Sequence, residues 1–549
     1  MKTLAERMAT GVQAEFPKVV KIDQKEPRHV VVRARAGTGK TTTIVEGLKA
    51  MRGIPTSITP SPQQQAIWDE LALSQNARYV CFCAFNKSIA AELKTRVPES
   101  VDAKTLHGLG CGSIYRSMKG MNFGEPNPER SAMLMAKLLK VDYYNLKNEN
   151  YALTSGIVEL VSLCKVNLFE GKYDDLDYLC SRHDIDFKPR AGSSYTEDQN
   201  RRLAFELAPE VLKLSRTPHL DGQIDYDDMI WLPVVLGLNV FRYDLLLVDE
   251  CQDLNRCQQA LAKLAGRRLV LVGDDRQAIY GFAGADSESF DRMVRECSAT
   301  ERGCVELPLT VTRRCGKAIV NEARQIVPDF DAHESNPKGK ILEAKFPSQK
   351  DERNKAFELS NEETYLPMVE DGDMVICRTN APLVSQYFKF LSMGKRSYIQ
   401  GRKDVGDKLT ALIKRFGCET VSELITEVGR WADKKKEKEL ARTNPREMTL
   451  QNIEDRRDCI LHFCDKFNQI SEITDRINLI FSDSSARGIR LSSIHKAKGL
   501  EAKRVFFLIP DVYGGWYVKK NAKDWERKQM KNLMYVGITR AIDTLVYVS

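Results

Sequence analysis

Short apolar runs rich in valine, isoleucine and leucine punctuate the first half of the chain at HVVVRA (29–34), YVCFCAF (79–85), DLLLVDE (244–250) and RLVLVGD (268–274). The runs are continuous rather than alternating, so each reads as a strand buried on both faces, and helix-like stretches separate them. That is the pattern of a parallel α/β sheet. A second series follows at DMVICR (373–378), IRLSSIH (489–495), RVFFLI (504–509) and DTLVYVS (543–549), which implies a second α/β domain. A long helical-looking stretch interrupts each series. The expected organisation is a first domain from 1–120 and 216–300 with a helical insertion at 121–215, and a second from 301–401 and 486–549 with a small helical insertion at 402–485. The second insertion contains the charge run WADKKKEKEL, which reads as a solvated helix face or as a nucleic-acid contact.

Composition narrows the class without naming a partner. At 549 residues, 42% hydrophobic and 29% charged, the chain is globular and large enough for several cores. The net charge of +8, from 83 basic and 75 acidic residues, is too mild to establish a polyanion partner by itself. The opening MKTLAERMATGVQAEF lacks the apolar stretch of a signal peptide, and no apolar run approaches membrane-spanning length. The fourteen cysteines are scattered; Cys81/Cys83 and Cys459/Cys464 do not make paired CxxC metal sites. The expectation is a soluble, cytoplasmic chain with reduced thiols and no membrane partner.

Chemistry concentrates first in ARAGTGKTTT, where the strand ending near Arg33 runs through a glycine loop into a helix-like stretch. Ala36, Gly37, Thr38, Gly39, Lys40, Thr41 and Thr42 form a phosphate cradle. The glycines let backbone amides turn toward a phosphate, Lys40 can reach the β and γ oxygens, and the Thr41 hydroxyl can ligate Mg²⁺. Ala34 stands where the general pattern has its first glycine. The loop alone does not separate kinases, GTPases and motors. In DLLLVDECQDLN, Asp249 and Glu250 close an apolar strand. There Asp249 is a candidate Mg²⁺ ligand and Glu250 a candidate general base for water, which suits hydrolysis; an acidic helix cap is the plainer alternative.

Taken in order, ARAGTGKT, VDECQD, VGDDRQAIYGFAGAD, TRRC, SSIHKAKGLE and YVGITRA resemble the helicase motifs of the UvrD/Rep/PcrA group of superfamily 1, over nearly the whole chain. The resemblance implies two tandem RecA-like P-loop domains, ATP and Mg²⁺ as cofactors, and single-stranded or tailed duplex DNA as partner, with 3′ to 5′ movement. It makes Gln277 the γ-phosphate sensor and Arg314 and Arg540 the arginines that meet the phosphate. It places Gly499 and Glu501 at the nucleotide and Ser493 and His495 at the DNA, though a structural histidine is the bland alternative for His495. Tyr280 and Phe282, the latter where the family commonly has tryptophan, suit base stacking, with core packing as the alternative. Phe85, Asn86 and Lys87 in AFNKSIAAEL, and Thr105 and His107 in TLHG, resemble the first domain's DNA-contacting loops. IDYDDMI (224–230) resembles the acidic segment before the carboxylate motif.

Three departures qualify the picture. The family's adenine-reading glutamine normally precedes the P-loop, whereas TPSPQQQAIWDEL lies after it and puts Gln64 in the matching place. Ser61 followed by Pro62 is equally a good helix start, so Gln64 either reads adenine or belongs to a capped helix. The 402–485 insertion is short for the family, so unwinding is expected to be weak or dependent on a loading, replication or repair partner. No acidic nuclease cluster follows the last motif. A translocase that strips bound proteins without opening duplex, and an RNA-directed ATPase, remain as alternatives.

Overall fold

The computed structural model describes residues 27–183, 185, 187–189, 194–279, 289–345, 364–400, 403–440, 447–480, 488–509 and 524–549. The chain divides into two compact units, one up to Thr310 and one from Val311.

The first unit is built on a six-stranded, wholly parallel sheet. Its strands are β1 (His29–Ala34), β2 (Val80–Ala84), β3 (Val101–Thr105), β4 (Tyr243–Val248), β5 (Gly266–Gly273) and β6 (Cys304–Leu309), in the order β3-β2-β4-β5-β1-β6. Alternate residues of each inner strand supply opposite faces. Val30, Val32, Phe82, Leu245 and Leu247 join one core, while Val31, Cys81, Cys83, Leu246 and Val248 join the other. The first face is covered by α1 (Lys40–Met51) and α2 (Pro62–Ala72). Helices α3 (Lys87–Arg96) and α4 (Leu106–Ser117) leave the ends of β2 and β3. The long interruption is helical: α5 (Arg130–Leu139), α6 (Tyr143–Glu149), α7 (Tyr151–Asn167), α8 (Tyr173–His183) and α9 (Glu197–Ser215). Its apolar residues, among them Leu153, Ile157, Leu160, Ala204 and Val211, merge with the second core rather than forming a separate one. Helices α10 (Asp228–Val235), α11 (Arg256–Ala265) and α12 (Ser289–Ser298) complete that side.

The expected boundary at residue 300 is displaced. β6 pairs along its whole length with β1, from His29 opposite Cys304 to Ala34 opposite Leu309, so residues 304–309 complete the first sheet instead of opening the second domain. β6 is a half-exposed edge strand with a proline at 308, a composition that hides a strand from pattern reading.

The second unit begins with the short pair β7 (Val311–Thr312) and β8 (Asp331–Ala332), separated by α13 (Lys317–Arg324). Its main sheet is again six-stranded and parallel. The strands β9 (Lys340–Ala344), β10 (Met374–Cys377), β11 (Ser397–Gln400), β12 (Ile489–Ser493), β13 (Ala502–Leu508) and β14 (Ala541–Val548) lie in the order β11-β12-β10-β13-β14-β9. After α14 (Ala381–Ser392) comes an insertion of four helices, α15 (Lys403–Phe416), α16 (Val421–Leu440), α17 (Glu447–Cys464) and α18 (Ile470–Ile480). Leu424, Val428, Ile460, Phe463, Ile473 and Ile477 pack in one core with the strand residues Val375, Leu491 and Phe506. Asp455 on α17 accepts hydrogen bonds from the backbone of Asn380 and Ala381 at 2.8 and 2.6 Å, which ties the insertion to the start of α14. The helices α19 (Ile494–Ala497) and α20 (Asp524–Ile538) complete the unit. Among the described residues no helix is long and apolar enough to cross a membrane.

Candidate nucleotide and nucleic-acid sites

The loop between β1 and α1 is shaped by two glycines with left-handed backbone, Gly37 at φ 67° and Gly39 at φ 78°. A Cβ on Gly39 would meet nothing within 4 Å, so it is conformation and not space that demands glycine there. Lys40 opens α1, whose N-terminus has no side-chain cap; its first backbone N–H groups therefore face the loop as anion donors, strengthened by the helix dipole. Thr38 stiffens the loop by donating to the Arg35 carbonyl at 2.9 Å. Ala36 and Thr38 are buried and Thr42 is half-buried in the first turn of α1. Arg35 is itself buried and pairs with Asp274 at 3.2 Å and Asp275 at 2.8 Å, locking the loop to the end of β5.

Where β4 ends, two carboxylates meet this loop. Asp249 Oδ2 accepts the Thr41 hydroxyl at 2.8 Å, and its Oδ1 accepts the Glu250 backbone N–H at 2.9 Å. Burial, reinforced by the neighbouring Glu250 charge, pushes the Asp249 carboxyl above the usual range, with Lys40 pulling the other way. The Lys40 ammonium lies 2.9 Å from Glu250 Oε1. Burial opposes that ammonium, but Glu250, Asp249 and Asp274 outweigh it and hold Lys40 above its ordinary value, firmly charged. Glu250 adopts φ 51° and ψ 40°, the left-handed region that a non-glycine residue enters only under constraint. Gln277 is buried and donates its amide to Asp274 Oδ2 at 2.7 Å.

The donor set fits a nucleotide with a hard divalent cation: loop amides and an ammonium for phosphate, a hydroxyl and a carboxylate in mutual contact for the metal. No group of three or more His, Cys, Asp or Glu side chains gathers as a metal cage among the described residues. Thr41 and Asp249 suit a cation that takes most of its ligands from phosphate and water.

Of the residues expected at DNA, Phe85, Asn86, Lys87, Thr105 and His107 lie where β2 and β3 end in the first unit. Asn86 and Thr105 are helix caps: Asn86 Oδ1 accepts the Ile89 N–H at 2.9 Å at the start of α3, and Thr105 Oγ1 accepts the Gly108 N–H at 3.1 Å at the start of α4. Lys87 is the first residue of α3, and Phe85 is 44% exposed before it. Burial pushes the His107 imidazole below its usual value. A small, partly open pocket is lined by Phe85, Leu106, His107 and Asp249, so these loops and the candidate metal ligand share one space. Tyr280 and Phe282 lie outside the described residues.

In the second unit, Arg314, Glu501 and Arg540 converge. Arg314 Nε sits 2.5 Å from Glu501 Oε2, beside Gly499 at φ 84°. Arg540 is buried, donating to the carbonyls of Val536 at 2.8 Å and Leu500 at 3.0 Å. Burial and the adjacent Arg314 charge bring Arg540 down to about 10. Ser493 holds the N-cap position of α19. His495 is pushed down to about 4 by burial, then by Arg378 and Lys498, so it is neutral at physiological pH. Arg378, which ends the DMVICR run, received no role from the sequence although a cation after an apolar strand was the available signal.

Gln64 is buried and its amide is engaged at both ends. Its oxygen accepts the Ser61 N–H at 3.0 Å in a capping box, and its nitrogen donates to Thr43 Oγ1 on α1 at 2.9 Å. Trp68 adds a bond to the Thr43 carbonyl at 2.9 Å. The adenine-reading expectation for Gln64 therefore competes with a visible role in seating α2 on the P-loop helix.

Two tandem RecA-like α/β units, the first carrying a P-loop closed by strand-end carboxylates, define a nucleotide-dependent P-loop protein. The chain belongs to the UvrD/Rep helicase family: the model of the UvrD/REP helicase N-terminal domain matches residues 18–298, and that of the UvrD-like helicase C-terminal domain matches 283–549. It is similar to the F-box DNA helicase protein 1 of Schizosaccharomyces pombe, 24% identical over 57% of this chain and 32% of that protein. It is similar to the ATP-dependent DNA helicase Rep of Escherichia coli, 27% identical over 46% of this chain and 35% of Rep. The ATP-dependent DNA helicase PcrA of Staphylococcus aureus is 32% identical over 21% of this chain and 17% of PcrA. The chain thus spans about a third of the length of the first two relatives.

Proposed function

We propose that this chain is an ATP-driven motor that travels on single-stranded DNA and opens tailed duplex, in the 3′ to 5′ direction that the family resemblance implies. The observation that carries the reading is the pairing of Lys40 with Glu250 and of Thr41 with Asp249 beside the Asp274–Gln277 turn. Lys40 and the loop amides bind the phosphates of ATP. Thr41 and Asp249 would hold Mg²⁺, which when bound neutralises phosphate charge. Glu250 accepts a proton from the water that attacks the γ-phosphorus, releasing inorganic phosphate and ADP. Gln277 senses the γ-phosphate, and Arg314, Arg540, Gly499 and Glu501 are the second unit's contribution to nucleotide handling. Phe85, Asn86, Lys87, Thr105 and His107, with Tyr280, Phe282, Ser493 and His495, contact the strand. A loading, replication or repair protein as partner and a cytoplasmic setting belong to the same proposal.

The test is ATP turnover with and without single-stranded DNA, at one stated salt concentration because phosphate contacts are salt-sensitive. Strong stimulation is expected in the wild type, and Glu250→Gln should keep nucleotide binding while losing about 10²- to 10⁴-fold in turnover. Turnover indifferent to DNA but raised by a matched RNA strand would replace the substrate. Stripping of streptavidin from a single strand without opening of a tailed duplex would leave translocation and remove unwinding.

A further inference from the structure

The Glu250 carboxylate is held from two sides. Oε1 faces the Lys40 ammonium, and Oε2 accepts a hydrogen bond from the side-chain amide of Gln252, two residues further along. Gln252 is completely buried. Its amide oxygen accepts the Asp274 backbone N–H at 3.0 Å. Asp274 in turn receives Gln277 at 2.7 Å and Arg35 at 3.2 Å. One buried amide therefore crosses from the end of β4 to the end of β5, joining the candidate base to the candidate phosphate sensor and to the P-loop arginine.

Two independent features show that this crossing is built. Glu250 occupies the left-handed backbone region, which a side chain with a Cβ enters only when its surroundings hold it there. On the other strand, a Cβ added to Gly273 would lie 2.5 Å from Gln252 Oε1 and 2.9 Å from Cys251 Sγ. Only a glycine at 273 lets the Gln252 amide approach β5.

We propose that Gln252 is a positioning residue for ATP hydrolysis: it fixes the plane of the Glu250 carboxylate and fastens it to the Asp274–Gln277 turn, so that base and sensor move together. The inference rests on reading Glu250 as the general base. A carboxylate that loses the Gln252 bond turns more freely about its own bonds, and misplacement of a reacting group by an ångström costs about 10²-fold in rate.

The test uses the full chain with Gln252→Leu and Gln252→Glu, measuring ATP turnover at saturating single-stranded DNA, the Kd of a fluorescent ATP analogue, and Tm. Gln252→Leu should lower kcat by about 10- to 100-fold while nucleotide Kd changes by less than about twofold. Gln252→Glu keeps the shape and the bond from Asp274 but presents a carboxylate to Glu250. Its kcat should be low near about pH 8 and recover toward wild type near about pH 6, where a protonated carboxyl donates as the amide did. Wild-type kcat in Gln252→Leu overturns the proposal. So does a joint fall of kcat, nucleotide affinity and Tm in both variants without recovery at lower pH, the signature of a packing role. Undiminished turnover in Glu250→Gln would instead remove the general-base reading itself, whereas a slow Glu250→Gln beside a fast Gln252→Leu removes only the role of Gln252.

Discussion

Lys165 lies in complete burial where the α5–α9 insertion meets the IDYDDMI segment. Its ammonium contacts Asp225 at 2.5 Å and Asp228 at 2.8 Å. Arg130 holds Asp228 from the other side at 2.6 Å and reaches Asp221 at 3.0 Å. Lys165→Met keeps most of the stem's volume, including its approach to the Trp231 ring 5.6 Å from Nζ, and deletes the charge. The carboxylates then share Arg130. Removing one partner of a buried pair costs about 3–5 kcal/mol. An alternative caps the loss: one carboxyl takes up a proton, which from an ordinary value near 3.9 to pH 7 costs about 4 kcal/mol. We expect a loss of about 3–4 kcal/mol in the local opening free energy of α7, read by amide hydrogen exchange so that the second unit does not enter. If protonation sets the cap, the folded variant binds the proton more tightly than the unfolded chain. Stability is then regained as pH falls, by about 1.4 kcal/mol per unit between about pH 7 and 5. A loss under about 1 kcal/mol would refute this account of the cluster, and a larger loss indifferent to pH would remove protonation as its cap.

Two further outcomes follow from the same unit. Burial, then the charge of Asp225, pushes the Asp227 carboxyl up to about 6 despite a hydrogen bond from Ser162. A folded value above the unfolded one means that the ionised form destabilises, so the penalty is full above about pH 6 and fades as pH falls toward 4. Asp227→Asn should raise stability by up to about 3 kcal/mol at pH 7.5, with the gain shrinking below about pH 6; equal Tm shifts at both ends of that range would count against it. Gln64→Ala removes a capping box and the bond to Thr43, and should cost about 1–2 kcal/mol in thermal stability while leaving ATP-over-GTP preference unchanged. Loss of that preference would return Gln64 to the adenine.

Sequence alone was enough wherever the physics is local. Strands buried on both faces must be continuously apolar, so HVVVRA, DLLLVDE and RLVLVGD declare a parallel sheet before any contact is known. A phosphate loop is a contiguous turn, so Gly37 to Thr41 reveal it unaided. The tertiary structure decided the rest, because those roles depend on partners distant in the chain. CVELPL is an edge strand of the first sheet only because β1 lies beside it. IDYDDMI reads in the sequence only as an acidic segment; Asp225 and Asp228 within it are buried because Arg130 and Lys165, on two insertion helices, reach back to meet them. Asn86 and Thr105 act as helix caps, a use invisible until the helix starts are fixed. Gln252 stood in plain view inside DECQD, yet nothing in that string announces that its amide meets the backbone of Asp274, 22 residues on. Hydrophobic period and loop chemistry are written along the chain, whereas burial and hydrogen-bond partnership belong to the folded molecule.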